Sequence, residues 1–193
     1  MTKSIRSPET GRLKTLTLVL PALFAALTAI CSWVTIPSTV PFTLQTFAVF
    51  LALGVLGGKL GSVSVVVYIL LGAVGLPVFS GFKGGFGVIL GTTGGYIVGF
   101  VLLTCAYWLM TSVFGNKIIV RVVGMLLGLA LCYAFGTIWF ITVYTRSTGA
   151  VSISAALGWC VVPFIIPDLI KLTLAVIISQ RLNKVLKLSK STR

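Results

Sequence analysis

What most constrains this chain is a succession of apolar runs, most of them near twenty residues long, separated by short gaps that hold nearly all of its charge. A helix needs about 20 apolar residues to cross the hydrocarbon core of a bilayer. In lipid every backbone N–H and C=O must also find its partner inside the segment. Dividing the chain at its charges, prolines and glycines gives six candidate spans, at about 16–36, 40–56, 62–78, 88–113, 118–144 and 167–178. The second is short and carries Pro41 and Gln45. A proline-bounded apolar stretch, 151–163, precedes the last span and reads as a re-entrant segment or a short flat helix. Charged residues make up 9% of the chain and hydrophobic ones 58%, whereas a soluble domain carries roughly a quarter charged residues. The expected fold is an all-α integral membrane protein, one membrane domain over residues 1–193 forming a compact bundle of six transmembrane helices.

The net charge of +13 invites a nucleic-acid reading. The cations, however, collect in the tails and in the gaps between apolar runs, as those of a multi-pass membrane protein do. Lys3, Arg6, Arg12, Lys14, Lys59, Lys117, Arg121, Arg181, Lys184, Lys187, Lys190 and Arg193 fall on one side of the six-span topology, against Lys83, Arg146 and Lys171 on the other. That asymmetry puts both termini in the cytoplasm and the protein in the cell membrane. The basic tail then serves to hold anionic lipid, or to dock a partner. Met1 to Lys14 is polar and basic and Leu16 opens a full-length span, so the first segment is expected to remain as an anchor.

Several chemistries are poorly supplied. Cys31, Cys105, Cys132 and Cys160 stand singly in or beside apolar runs, and the chain has no histidine to complete a metal set. Two acids in all, Glu9 and Asp168, leave little for acid–base catalysis. The turn Gly57-Gly58-Lys59 continues into Leu60 and lacks the upstream glycine of a phosphate-binding loop, so no ATP site is expected. No cofactor and no metal are expected, and the reading is of a transport protein; an enzyme acting on a lipid substrate is the alternative from another class.

Asp168 is the only acid inside a span, and Lys171 follows it by three residues on the same helical face. Charges at such depth cost several kcal/mol to insert and usually pair, face a cavity and serve a function. A binding site, a structural ion pair, or an acid held by a helix N-terminus alone all fit the pattern; Pro167 suits the first turn of such a helix. Residues 75–87 form a glycine-rich loop with aromatics and one cation, Lys83, either a ligand for an anion or a solvated loop charge. Thr43, Gln45 and Thr46 open the second span as interhelical hydrogen-bonding groups or as site residues. Phe42, Phe79, Phe82, Phe86, Tyr96 and Trp159 supply aromatic surface, much of which an interfacial belt accounts for. Small residues at four-residue spacing (Ala22/Ala26, Gly54/Gly58, Gly87/Gly91/Gly95/Gly99, Gly124/Gly128) let helices approach closely, within the bundle or against a partner.

Five segments in this order and spacing resemble the BioY family of biotin-binding membrane subunits of energy-coupling factor transporters. They are Ala22-Leu-Phe-Ala-Ala-Leu-Thr, Val40-Pro-Phe-Thr-Leu-Gln-Thr-Phe, Tyr68-Ile-Leu-Leu-Gly-Ala-Val-Gly-Leu-Pro-Val-Phe, Gly94-Gly-Tyr-Ile-Val-Gly-Phe and Pro167-Asp-Leu-Ile-Lys. The resemblance implies uptake of biotin, bound from outside near the outer face and released inward, with energy from a transmembrane coupling subunit and ATPase subunits. It leaves open that the chain acts alone or takes another vitamin. It also implies that Asp168 and Lys171 contact the vitamin. Tyr96, Gly84 and Gly85 would line the pocket, the 37–45 segment with Thr43 and Gln45 would cap it, and Ala22 and Ala26 would dock the coupling subunit. Two departures stand out: Gly91-Thr92-Thr93-Gly94-Gly95-Tyr96 replaces the family's Gly-Pro-Thr-Gly-Gly-Tyr, and Lys83 occupies a position expected to be small or amide-bearing.

Overall fold

A computed structural model describes residues 8–186; the expectations for Lys3, Arg6, Lys187, Lys190 and Arg193, and for the side chains of Arg12 and Lys14, lie outside the described residues. The elements are α1 (Pro8–Trp33), β1 (Thr35–Ile36), β2 (Phe42–Thr43), α2 (Gln45–Ala73), α3 (Phe86–Leu90), α4 (Gly94–Phe114), α5 (Ile118–Ser147), α6 (Ile153–Cys160) and α7 (Val162–Leu186). Among the described residues, four stretches are long and apolar enough to cross a membrane: Gln45–Ala73, Gly94–Phe114, Ile118–Ser147 and the nearly continuous Ile153–Val185. Within α1, Thr17–Trp33 is a shorter apolar helix. The chain is therefore a mostly helical, multi-pass membrane protein.

α2 is one helix only in name. Gly57 adopts φ +80° and ψ −178° in its middle, a conformation that glycine alone takes readily. A Cβ on Gly61 would lie 3.2 Å from the Leu53 Cα, yet residues eight apart on a straight helix are about 12 Å apart. Gln45 also donates through its amide nitrogen to the Tyr68 hydroxyl, twenty-three positions on. The chain thus reverses at Gly57, and residues 45–56 and 58–73 form two antiparallel arms. With α1, α4, α5 and α7 they make six long helical limbs among the described residues, the number that division at charges, prolines and glycines predicts.

The arm 45–56 is the centre of the bundle. Ala48, Val49, Phe50, Ala52 and Leu53 have no solvent exposure at all, which is how a helix apolar all round must sit. At about 18 Å it is too short to cross the hydrocarbon core alone. α2 packs against α1, α4 and α7, and α4 lies along α5. The Gly57 end of this arm is tied off by Arg121, whose guanidinium donates to the Gly54 carbonyl and to the Tyr107 hydroxyl (3.2 Å). Asn183 adds a second bond to the same carbonyl at 3.0 Å. These donors satisfy a helix C-terminus that the reversal leaves open.

Several boundaries differ from the sequence expectation. Residues 40–44 are not helical: β1 and β2 pair antiparallel with Thr35 opposite Thr43 and Ile36 opposite Phe42, because Pro41 supplies no N–H for a helix interior. The fold is consequently not purely α. The fourth span starts at Gly94 rather than at 88, since Gly91 is extended and separates the single turn of α3 from α4. The last span begins at Val162, so Pro167 lies inside α7 and not in its first turn. The stretch 151–163 holds the short helix α6, capped by Ser152, whose hydroxyl accepts from the Ala155 N–H.

The glycine stripes pack only in part. Gly99 and Gly128 hold α4 against α5: a Cβ would stand 2.8 Å from Cys132 Sγ at the first and 2.6 Å from the Leu103 carbonyl oxygen at the second. Gly54 faces Ser179 and Gly58 faces Trp108 in the same way. Gly87 meets nothing and Gly91 only its own turn, so the stripe begins at Gly95. Ala22 and Ala26 are on an exposed face of α1 beside Leu18, Leu23 and Ile30. Cys31, Cys132 and Cys160 are buried, but Cys105 is exposed. Gly128→Val should force α4 from α5 and cost about 1–3 kcal/mol. Thermal unfolding in detergent would show it as a lowered midpoint; an unchanged midpoint would contradict this packing.

Candidate functional site

Because the central arm is short, the bundle core is unfilled at its Gln45 end. There the β1–β2 segment folds over two adjacent cavities, an outer and an inner part that share Val40, Pro41, Thr43, Gln45, Tyr96 and Phe100 as walls. The outer part, about 260 Å³, adds Ser38, Thr92, Thr93 and Lys83 to its walls. The inner part, about 60 Å³, ends on Asp168, Lys171, Tyr133 and Thr46. Their size is of the order of a small-molecule site.

Asp168 and Lys171 form the inner wall. α7 presents both toward the start of α2, and they are 2% and 6% exposed, which for charges in a membrane helix demands full compensation. The structure supplies it. Lys171 Nζ is 2.8 Å from Asp168 Oδ1, and also donates to the Thr43 carbonyl at 2.6 Å and to Thr46 Oγ1 at 3.2 Å. Its ammonium stands 4.1 Å from the centre of the Phe42 ring, a favourable cation–π position. Asp168 Oδ1 accepts from the Thr46 hydroxyl at 2.8 Å and Oδ2 from the Tyr133 hydroxyl at 2.6 Å. All three ammonium protons thus find acceptors, while a carboxylate with about four lone-pair sites retains room for one more donor. An acid held by a helix N-terminus alone is excluded: Asp168 sits more than a turn inside α7.

Other predicted residues divide. Thr43 Oγ1 donates to Gln45 Oε1 at 3.0 Å, and Gln45 links on to Tyr68, whose hydroxyl donates to the Val78 carbonyl. Both residues line the cavity and also bind helices together. Tyr96 lines both parts and bonds Thr137 at 2.9 Å. Lys83 lines the outer part only. Gly84 and Gly85 do not reach the cavity: a Cβ on Gly84 would sit 2.7 Å from the Gly75 carbonyl oxygen, and the Gly85 N–H donates to the Gly72 carbonyl. Gly84 is thus in close contact with backbone, whereas Gly85 has open space where a Cβ would stand and takes φ +93°, a conformation that glycine adopts readily. Phe79 is buried edge-on to Tyr68 and takes no part in an interfacial belt, whereas Phe82, Phe86 and Trp159 are exposed. Among the described residues no three His, Cys, Asp or Glu side chains come together to hold a metal.

The sequence reading passed over Tyr133. Its only signal was a phenol in mid-span, which must find a partner when buried. Tyr133→Phe removes a bond to a charged oxygen, worth about 1.5–3 kcal/mol, whereas Tyr96→Phe removes a neutral one, worth about 0.5–1.5 kcal/mol. Chemical unfolding in detergent should rank the two variants in that order, and equal losses would contradict it.

A family model described as the BioY family matches residues 2–188. The chain belongs to the BioY family. Biotin transporter BioY of Thermotoga maritima is 41% identical over 168 residues, covering 86% of this chain and 95% of that protein. The probable biotin transporter BioY of Pyrococcus horikoshii is 42% identical over 165 residues, covering 85% and 94%. A crystal structure of the S-component for biotin from an ECF-type ABC transporter matches with a TM-score of 0.78 at 28% identity, over 93% of this chain and 95% of that one. BioY membership thus spans the whole bundle, including the helix that carries Asp168 and Lys171.

Proposed function

We propose that this chain is the biotin-binding subunit of a vitamin uptake system in the cytoplasmic membrane. The supporting observation is a cavity that ends on a buried acid and lysine, in a chain whose relatives are named biotin transporters. Biotin's ureido ring carries two N–H donors and one carbonyl, groups that a carboxylate and an ammonium read together. Asp168 accepts a ureido N–H, and Lys171 turns a proton from Thr46 or Thr43 to the ureido carbonyl. Tyr96 and Phe100 give the ring system an apolar wall.

The six limbs form one membrane domain. Both described ends, with Lys59, Lys117, Arg121, Arg181 and Lys184, lie at the Gly57 end of the bundle, and the cavity opens at the other. The positive-inside rule then puts the termini in the cytoplasm and the cavity at the outer face. Energy comes from a separate ATP-driven module, whose transmembrane coupling subunit docks on the exposed Ala22/Ala26 face of α1. The protein is not an enzyme and needs no cofactor.

Labelled-biotin uptake tests this in a biotin-dependent cell that lacks its own importer, with and without coexpressed energising subunits. Uptake that rises with the coexpressed subunits is the expected result. Biotin-independent binding of another vitamin, with no biotin taken up, would overturn it.

A further inference from the structure

The inner part of the cavity is smaller than the group it is read to hold. At about 60 Å³ it has room for a few water molecules, and the fused rings of biotin need more. Its walls must part before a ring system can reach Asp168 and Lys171.

Those walls belong to two bodies. α4 and α5 pack closely where Gly99 faces Cys132, Gly128 faces Leu103 and Gly136 faces Tyr96. The Tyr96–Thr137 bond and a 2.9 Å bond from Trp139 Nε1 to the Gly91 carbonyl reinforce that pair. The second body is α7 with the arm 45–56 and the β1–β2 segment: Lys171 donates to the Thr43 carbonyl and to Thr46, and the Phe42 ring stacks on Phe164 at 5.8 Å. α5 and α7 meet along little of their length, and α6 is the connector between them. The inner cavity lies in that gap, with Leu129, Cys132 and Tyr133 on one side and Phe164, Asp168 and Lys171 on the other.

At the Gly57 end the bodies are joined by Arg121 of α5, which donates to the Gly54 carbonyl. Beside the cavity, among the described residues, one hydrogen bond joins α4 or α5 to α7 or to the β1–β2 segment. It runs from the Tyr133 hydroxyl to Asp168 Oδ2, at 2.6 Å.

We infer that Tyr133 is a clasp: its bond to Asp168 holds the α4–α5 pair closed against α7, and release of that bond limits how fast ligand enters and leaves. The inference rests on the biotin reading above. Asp168 Oδ1 accepts from Thr46 and Lys171, whereas Oδ2 accepts from Tyr133 alone, so Oδ2 can receive a ureido N–H without giving up the clasp. The bond is therefore present in the empty and the occupied protein alike and breaks only while the two bodies are apart. Tyr133 is half-buried at the edge of the gap, where a hydroxyl can let go and return. Losing the clasp speeds exchange in both directions and leaves the complex about as tight.

Stopped-flow association and dissociation of biotin with the purified full chain tests it, in the wild type and in Tyr133→Phe. The substitution keeps the ring and removes the hydroxyl. Both rate constants should rise about 10- to 100-fold, the factor for one bond to a charged group, with Kd within about threefold. A merely structural loss lowers the unfolding midpoint and moves neither rate. Unchanged rates overturn the clasp; faster release at an unchanged association rate overturns it too, by making Tyr133 a ligand contact. A wild type that binds no biotin overturns the biotin reading, and the clasp falls with it.

Discussion

Asp168→Asn lowers biotin affinity by at least about 100-fold. The amide oxygen can still accept from Thr46, but its NH₂ group cannot accept from Tyr133, and Lys171 is left charged and buried with no counter-ion. Breaking one side of a buried pair costs about 3–5 kcal/mol, which as a binding effect is a factor of about a hundred to several thousand. The ureido N–H also loses its carboxylate acceptor. Part of the cost falls on the unliganded protein, so the single variant loses stability as well. The double variant Asp168→Asn/Lys171→Met removes both charges and should regain most of the unfolding midpoint without regaining biotin. A double variant that bound biotin like the wild type would make the pair a structural strut.

Lys171→Met acts differently. Methionine keeps an apolar stem against Phe42, while Asp168 retains Thr46 and Tyr133 as donors, so the loss of stability is smaller than for Asp168→Asn. What goes is the 2.6 Å bond to the Thr43 carbonyl, which ties α7 to the end of β2. Bonds to charged groups contribute about 1.5–3 kcal/mol. Biotin affinity should therefore fall about 10- to 100-fold, and amide hydrogen exchange over 34–44 should quicken while α4 and α5 keep their protection. Unchanged exchange in that segment would show that Lys171 does not hold the cover of the cavity.

Much of the bundle was legible because lipid imposes a simple code: apolar length, interrupting charge and breaker residues. The reversal at Gly57 is an example, since Gly57-Gly58-Lys59 divides two apolar runs where the backbone turns back on itself. Pro41 marked a break but not its kind, and two residues of pairing on each side are too short to show a period of two. The acid–lysine pair was visible from spacing and rarity. Its partners were not, because Thr46, Tyr133 and the Thr43 carbonyl come from elements that meet only in the folded bundle. Gly84 and Gly85 are placed beside the cavity rather than in its walls, and their roles were not legible because a glycine needed for close approach, or for a positive φ, looks the same in sequence as one that makes room for a ligand. Arg121 read as one of the cations on the side of the termini, yet it turns inward to close the end of the central arm.

Equilibrium binding of labelled biotin to the purified chain, in the wild type and in the Asp168→Asn/Lys171→Met protein, tests the central claim most directly. Nanomolar-range binding by the wild type, and its loss in a double variant that still unfolds cooperatively, is the predicted result. A folded double variant with wild-type biotin affinity would contradict it.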